Sequence, residues 1–208
     1  MIVAIARELG AGGHEVGERI AATLGVELLD NQIVDLVAGK IGAPASYVAA
    51  RDESVETFAE RLFQAISTAQ PEAYPADVSP DWSEERLVRL TGDIIRERAR
   101  SRSLVVIGRG APLLLKDVPG ALRVFVLADA EARARRLMAR QGCAREDALK
   151  QMKVSDQHRA AYMKQYYNAD WRDPHLYDLT LNSGALGVET AARIAVECVR
   201  VLNPGAVG

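Results

Sequence analysis

Cysteine is nearly missing from this sequence: Cys143 and Cys198 are the two thiols among 208 residues. Two cysteines make neither a disulfide framework nor a cysteine-based metal site, so no bound metal is expected on the protein's own ligands. Long apolar runs are missing too. Nothing approaches the ~18 residues of a membrane span, and no charged-then-apolar export segment opens the chain. A cytoplasmic location with no membrane partner is the expectation. Charge of one sign is also lacking, since the formal net charge is −2. That argues against bulk nucleic-acid binding, which needs a broad basic face. What remains is an ordinary folded composition, 49% hydrophobic and 26% charged. It holds enough apolar surface to offset the ordering entropy, and its length suits one domain over 1–208.

The charge is unevenly spread. Between Arg51 and Glu85 nine acids face two arginines, whereas between Glu131 and Arg159 eight bases face four acids. The basic segment suits a small anion or a solvated helix face; both readings stay open.

The order of elements is legible from apolar spacing. Ile2-Val3-Ala4-Ile5-Ala6 is uniformly apolar, as in a strand buried on both faces of a parallel sheet. A glycine turn follows, and Val16, Ile20 and Leu24 then recur at helical spacing up to Gly25. Val26–Leu29 reads as a second strand. Helical stripes are expected at Val55–Ile66 and from Glu84 towards Arg102, with a proline loop over Pro71–Trp82 and a cap at Ser83. Strands are expected at Leu104–Ile107, Leu122–Leu127 and Leu179–Leu181. Asp129 caps a basic helix to about Gln141, a second spans Glu146 to Tyr167, and a closing helix carries Ala191 to Leu202. Short apolar strands between helices imply βαβ units and an α/β, mostly parallel sheet. The segments 31–100 and 133–167 read as helical inserts on it.

In such sheets ligands bind beyond the carboxyl ends of the strands. The first such turn is Arg7-Glu8-Leu9-Gly10-Ala11-Gly12-Gly13-His14-Glu15. Its glycines let several N–H groups face one hollow, and the next helix adds free amides and the positive end of its dipole. A phosphate fits there; a bare strand-to-helix turn is the plainer alternative. The turn is not a Walker A loop. With Gly10-Ala11-Gly12 aligned on the glycines of a nucleotide kinase, the lysine position holds Gly13, and His14 and Glu15 stand where Ser or Thr is required.

Ala6-Arg7-Glu8-Leu9-Gly10-Ala11-Gly12-Gly13-His14-Glu15-Val16-Gly17 resembles the opening of the cytidylate kinase-like family. The resemblance continues through Leu29-Asp30, Val106-Ile107-Gly108-Arg109-Gly110-Ala111, Asp156-Gln157-His158-Arg159-Ala160-Ala161-Tyr162, and Trp171-Arg172-Asp173-Pro174. It implies a three-layer P-loop kinase-like fold with a five-stranded sheet, a helical monophosphate-binding insert (31–100) and a helical lid (133–167). It further implies ATP and Mg²⁺ as cofactors and small-molecule nucleotides as partners. The oligomeric state stays open. Gly10, Ala11, Gly12, Gly13, His14 and Glu15 are then the candidate cofactor cradle. Gly108, Arg109 and Asp30 are candidates for the acceptor side.

Phosphoryl transfer needs alignment and positive charge more than covalent help. Arg7, Arg109, Arg133, Arg136 and Arg159 are the candidates for that charge. Each has a structural alternative: an ion pair at a strand end for Arg109, a salt bridge to Asp156 for Arg159, and a solvated face for part of the Arg133, Arg136, Arg140 row. Asp30 reads as a base or ribose contact, or as a cap for the helix starting at Asn31. The expected activity is transfer of the ATP γ-phosphate to a nucleoside monophosphate such as CMP. The alternatives are a nucleotide-binding regulatory protein without catalysis and a kinase of another small metabolite.

Overall fold

The computed structural model describes residues 1–41 and 84–205. The expected stripe at Val55–Ile66, the Pro71–Trp82 loop, the Ser83 cap and most of the acidic stretch lie outside them.

Five strands form one sheet in the order β2-β3-β1-β4-β5, with every pairing parallel. They are β1 (Ile2–Arg7), β2 (Glu27–Leu29), β3 (Leu104–Ile107), β4 (Ala121–Leu127) and β5 (Leu179–Asn182). Alternation along the strands divides the core. Val3, Ile5, Val105, Ile107, Leu122 and Val124 face one side. There they meet Val16 and Ile20 of α1 (Gly13–Leu24) and Ala195 and Val199 of α7 (Ser183–Leu202). Ile2, Ala4, Leu104 and Val106 face the other side. They meet Ile33 and Val37 of α2 (Gln32–Ile41), Ile94 and Ile95 of α3 (Glu84–Ser101), and Ala111 of α4 (Ala111–Leu114). Burial of β1 and β3 on both faces is why their sequences are continuous apolar runs. The two described ends of the 31–100 segment thus cover the sheet itself.

Local signals act as expected at two helix ends. Gly25 ends α1 in the left-handed region at φ 64, and the Asp129 carboxylate accepts the Ala132 amide at 2.8 Å to open α5 (Ala130–Gln141). One boundary differs. The closing helix begins at Ser183, eight residues ahead of its apolar stripe, because Asn182 Oδ1 accepts the amides of Gly184 and Ala185 at 3.0 and 3.3 Å. Its course is interrupted at Gly187 (φ 76, ψ 157) before the stripe takes over.

The basic segment forms α5 and α6 (Arg145–Tyr167). They close on the turn after β1 through an apolar cluster of Leu9, Ala134, Leu137, Ala148 and Met152. A second cluster, Phe125, Met163, Trp171 and Tyr177, fixes the far end of α6 to β4. Among the described residues no helix is long and apolar enough to cross a membrane.

Candidate active site

β1 lies at the centre of the sheet, so the crevice beyond its carboxyl end opens between the turns that follow β1 and β3. In the first turn some amides are committed internally. Glu8 N–H donates to Val126 O at 3.0 Å, Leu9 N–H to Asp156 Oδ1 at 3.3 Å, and Ala11 N–H to Glu8 O at 3.1 Å. Beyond them the pattern changes. Gly12 caps α1 in the left-handed region without a side-chain hydrogen bond, and the first bond into the helix runs from Val16 N–H to Gly12 O at 2.9 Å. The amides of Gly13, His14 and Glu15 precede that bond, at the helix end of the turn.

Arg7 crosses this helix start. A Cβ added to Gly13 would lie 2.4 Å from Arg7 Cβ and 2.8 Å from its Cγ. The space a side chain at position 13 would need is therefore filled by the stem of an arginine from the strand, and glycine is the residue that leaves room for it.

The second turn holds Gly108, Arg109 and Gly110, all with positive φ (78, 54 and 69). Gly108 N–H donates to Ile5 O at 2.8 Å and ties this turn to β1. The Arg109 side chain is 1% exposed. Its Nη1 donates to Ile107 O at 2.9 Å and to Asp30 Oδ1 at 3.0 Å. Asp30 Oδ2 lies 2.8 Å from His14 Nδ1, and His14 Nε2 lies 3.3 Å from Glu18. Burial pushes the Asp30 carboxyl up, but the charges of Arg7 and Arg109 and the hydrogen bonds from Arg109 and His14 outweigh it, holding Asp30 below the ordinary aspartate value. Asp30 is ionised and central. Its role as a helix cap is confined to its carbonyl, which accepts the Ile33 amide at 3.2 Å; its carboxylate joins the two turns instead.

The arginines of α5 and α6 reach the first turn, where acids receive them. Arg133 Nε donates to Leu9 O at 2.7 Å, its Nη2 to Asp156 Oδ2 at 2.6 Å, and its Nη1 lies 3.2 Å from Glu8. Arg159 Nη1 donates to Asp156 Oδ1 at 3.4 Å. Arg172 Nη2 joins from outside, 3.0 Å from Glu8 and 3.3 Å from Asp156. Three guanidinium groups thus surround the buried Asp156 and the partly buried Glu8. Arg136 is engaged elsewhere: it donates to the hydroxyl and carbonyl of Ser183 at 2.9 and 2.8 Å and reaches Gly10 O at 3.4 Å. Ser183, fully buried, in turn donates to Ala11 O. Glu8, Arg172 and Ser183 were not foreseen as parts of the site. Arg172 and Glu8 lie 164 positions apart, a distance at which no spacing signal exists.

Comparison with known proteins follows the same line. The sequence profile of the cytidylate kinase-like family matches residues 2–185. The chain belongs to this family. A cytidylate kinase from Methanothrix thermoacetophila is 29% identical over 114 residues, 55% of this chain and 64% of the relative, so the match spans less than two thirds of that protein. The crystal structure of an uncharacterized protein from Eubacterium ventriosum superposes with a TM-score of 0.70 at 24% identity, covering 96% of this chain and 98% of that one. A shikimate kinase from Bacteroides thetaiotaomicron gives 0.54 at 15% identity over 96% and 98%. These likenesses establish the P-loop kinase-like fold.

For this member of the cytidylate kinase-like family, the residues suit a phosphate-bearing nucleotide. Glycine keeps the start of α1 open, amides line it, and Arg7 adds charge beside them. A magnesium ion would ride on the phosphate oxygens. Among the described residues no three His, Cys, Asp or Glu side chains gather into a metal cluster, and Glu15 is the carboxylate in the first turn of α1.

Proposed function

We propose that this protein is a phosphotransferase that moves the γ-phosphate of ATP to a nucleoside monophosphate, with CMP the first acceptor to try. The observation that carries the reading is the meeting of two turns across Asp30: amides at the start of α1 beside Arg7, and the buried guanidinium of Arg109 opposite. The amides of Gly13, His14 and Glu15 bind donor phosphate, and Arg7 supplies the charge that a lysine supplies in a Walker A loop. Arg109, preset by its backbone, grips the acceptor phosphate through its planar fork. Asp30 holds that fork in place and offers an acceptor for a ribose hydroxyl or base amine. Arg133, Arg159 and Arg172 keep the lid over the turn and exclude water. Mg²⁺, held by the phosphates with Glu15 at hand, neutralises charge on the transferring group.

A second reading has an observation in its favour. Gly13 stands at the lysine position, and the lid arginines spend their charge on Glu8 and Asp156. A nucleotide-binding regulatory protein would tolerate both. One experiment separates the two: a coupled assay of ADP release with Mg²⁺–ATP and CMP, dCMP, UMP or AMP, run beside calorimetric titration of the nucleotides. Turnover with a monophosphate, reduced by about 100-fold in Arg7→Ala, is expected. Binding without turnover favours the regulatory reading. Neither binding nor turnover overturns both.

A further inference from the structure

We propose that Tyr167 is a positioning residue for Arg109, and that α6 thereby ties the acceptor turn to the donor turn. The inference rests on the reading of Arg109 as the acceptor-phosphate arginine and adds to it the group that sets its pose.

An arginine at φ 54 stands in the left-handed region, where its Cβ crowds the backbone. Such a residue persists only when its surroundings over-determine it. Three contacts do so. The Arg109 guanidinium is anchored on Asp30 and on Ile107 O. The amide of Gly108 is fixed to β1 through Ile5 O. The carbonyl of Arg109 itself accepts the Tyr167 hydroxyl at 3.1 Å. The Tyr167 ring also presses close to the next residue: a Cβ at Gly110 would sit 2.5 Å from its Cε2 and Cζ. One side chain thus holds Arg109 and Gly110 together, and it is the only one of the three contacts that comes from the lid.

Tyr167 is the last residue of α6, a helix closed by Asn168 in the left-handed region with its amide on Lys164 O and Met163 O. Tyr162, 5.9 Å away between ring centres, backs it. Eleven residues earlier on the same helix, about 16 Å along its axis, Asp156 accepts the Leu9 amide of the donor turn and the guanidinium groups of Arg133 and Arg159. A single stiff element is therefore fastened at one place to the donor turn and at its end to the acceptor turn. Removing the hydroxyl takes away the bond to the Arg109 carbonyl and lets the fork shift from its pose, while the Asp156 bonds to the donor turn stay in place.

The test uses the full chain and Tyr167→Phe, which keeps the ring and removes one donor. CMP and a non-hydrolysable Mg²⁺–ATP analogue are titrated separately by calorimetry, and thermal melting is followed beside them. CMP affinity is expected to fall about fivefold, because the loosened Arg109 pose has to be restored on binding, with analogue affinity unchanged and the melting temperature lowered by no more than a few degrees. In turnover the KM for CMP rises by the same factor ahead of kcat. Equal CMP affinity in both proteins overturns the proposal while leaving the phosphotransferase reading intact. Loss of both affinities together with a lowered melting temperature makes Tyr167 merely structural and overturns it too. No CMP binding to the wild-type protein removes the acceptor reading and this inference with it.

Discussion

The turns after β1 and β3 leave the same edge of the sheet from neighbouring strands, and both depend on left-handed residues. They handle charge in opposite ways. The first places glycine at its left-handed positions, Gly10 and Gly12. Its own acid, Glu8, is taken up by Arg133 and Arg172, and positive charge arrives from Arg7 on the strand, which acts on Asp30, and from Arg133 of α5. The second puts an arginine into the left-handed region between two glycines and buries its guanidinium on one acid. On the proposed reading, a turn that lets a polyphosphate approach its backbone keeps its side chains away, and a turn that grips one phosphate in one place accepts backbone strain to fix a planar fork. The first turn is consequently held by a distributed network, the second by a few exact contacts.

Three changes would break or sharpen that contrast. The largest effect belongs to Arg133. Arg133→Ala leaves Glu8 and Asp156 buried together with Arg159 and the half-exposed Arg172 as partners. Stability should fall by about 4 kcal/mol in urea denaturation, and Arg133→Met, which restores the stem, should recover part of it. A loss below about 1 kcal/mol would mean that the network is not what holds the lid on the first turn.

Gly10→Ala comes next. The position has φ 78, and its new Cβ would sit 2.8 Å from the Arg133 carbonyl oxygen, on backbone that cannot swing aside. Left-handed strain and overpacking together are expected to cost about 3 kcal/mol. Binding of the ATP analogue should weaken more than that of CMP, because the distortion lies on the donor side.

Asp30→Asn is the mildest and carries a pH signature. The Asp30 carboxyl lies below its ordinary value of 3.8 in the folded protein. Its contribution is therefore complete above the unfolded value and is lost as the pH falls through the lower folded one. Asn keeps an acceptor for Arg109 but no charge, so the variant should be about 2 kcal/mol less stable at pH 7. The difference should shrink as the pH falls below 3.8, as measured by denaturation at pH 7 and at successively lower pH. A gap that widens on acidification would contradict the depressed carboxyl.

Much of the architecture was readable because buried parallel strands and amphipathic helices write themselves locally. Ile2–Ala6 and Leu104–Ile107 can be little else than strands covered on both sides, and Gly25 and Asp129 mark helix ends through their own conformations and hydrogen bonds. The start of α7 was less legible, since its cap at Asn182 precedes an interruption at Gly187 and the apolar stripe comes only afterwards. At the candidate site, residue types were readable and pairings were not. Asp30 could be seen as a cap or a contact; that it joins His14 to Arg109 requires positions 14, 30 and 109 to meet at one edge of the sheet. The Asp156–Arg159 pair follows from helical spacing, whereas its links to Leu9, Arg133 and Arg172 do not.

By itself, then, the amino-acid order determined the strands, most of the described helices, the glycine turn, and which arginines were available. Those are consequences of short-range periodicity and backbone preference. Only the folded chain decided where each arginine goes: the stem of Arg7 against Gly13 with its charge acting on Asp30, Arg109 onto Asp30, Arg133 and Arg159 onto Asp156. The reason is that a buried charge takes whichever opposite charge the topology brings within reach, and that neighbour is set by how strands and helices stack rather than by distance along the chain.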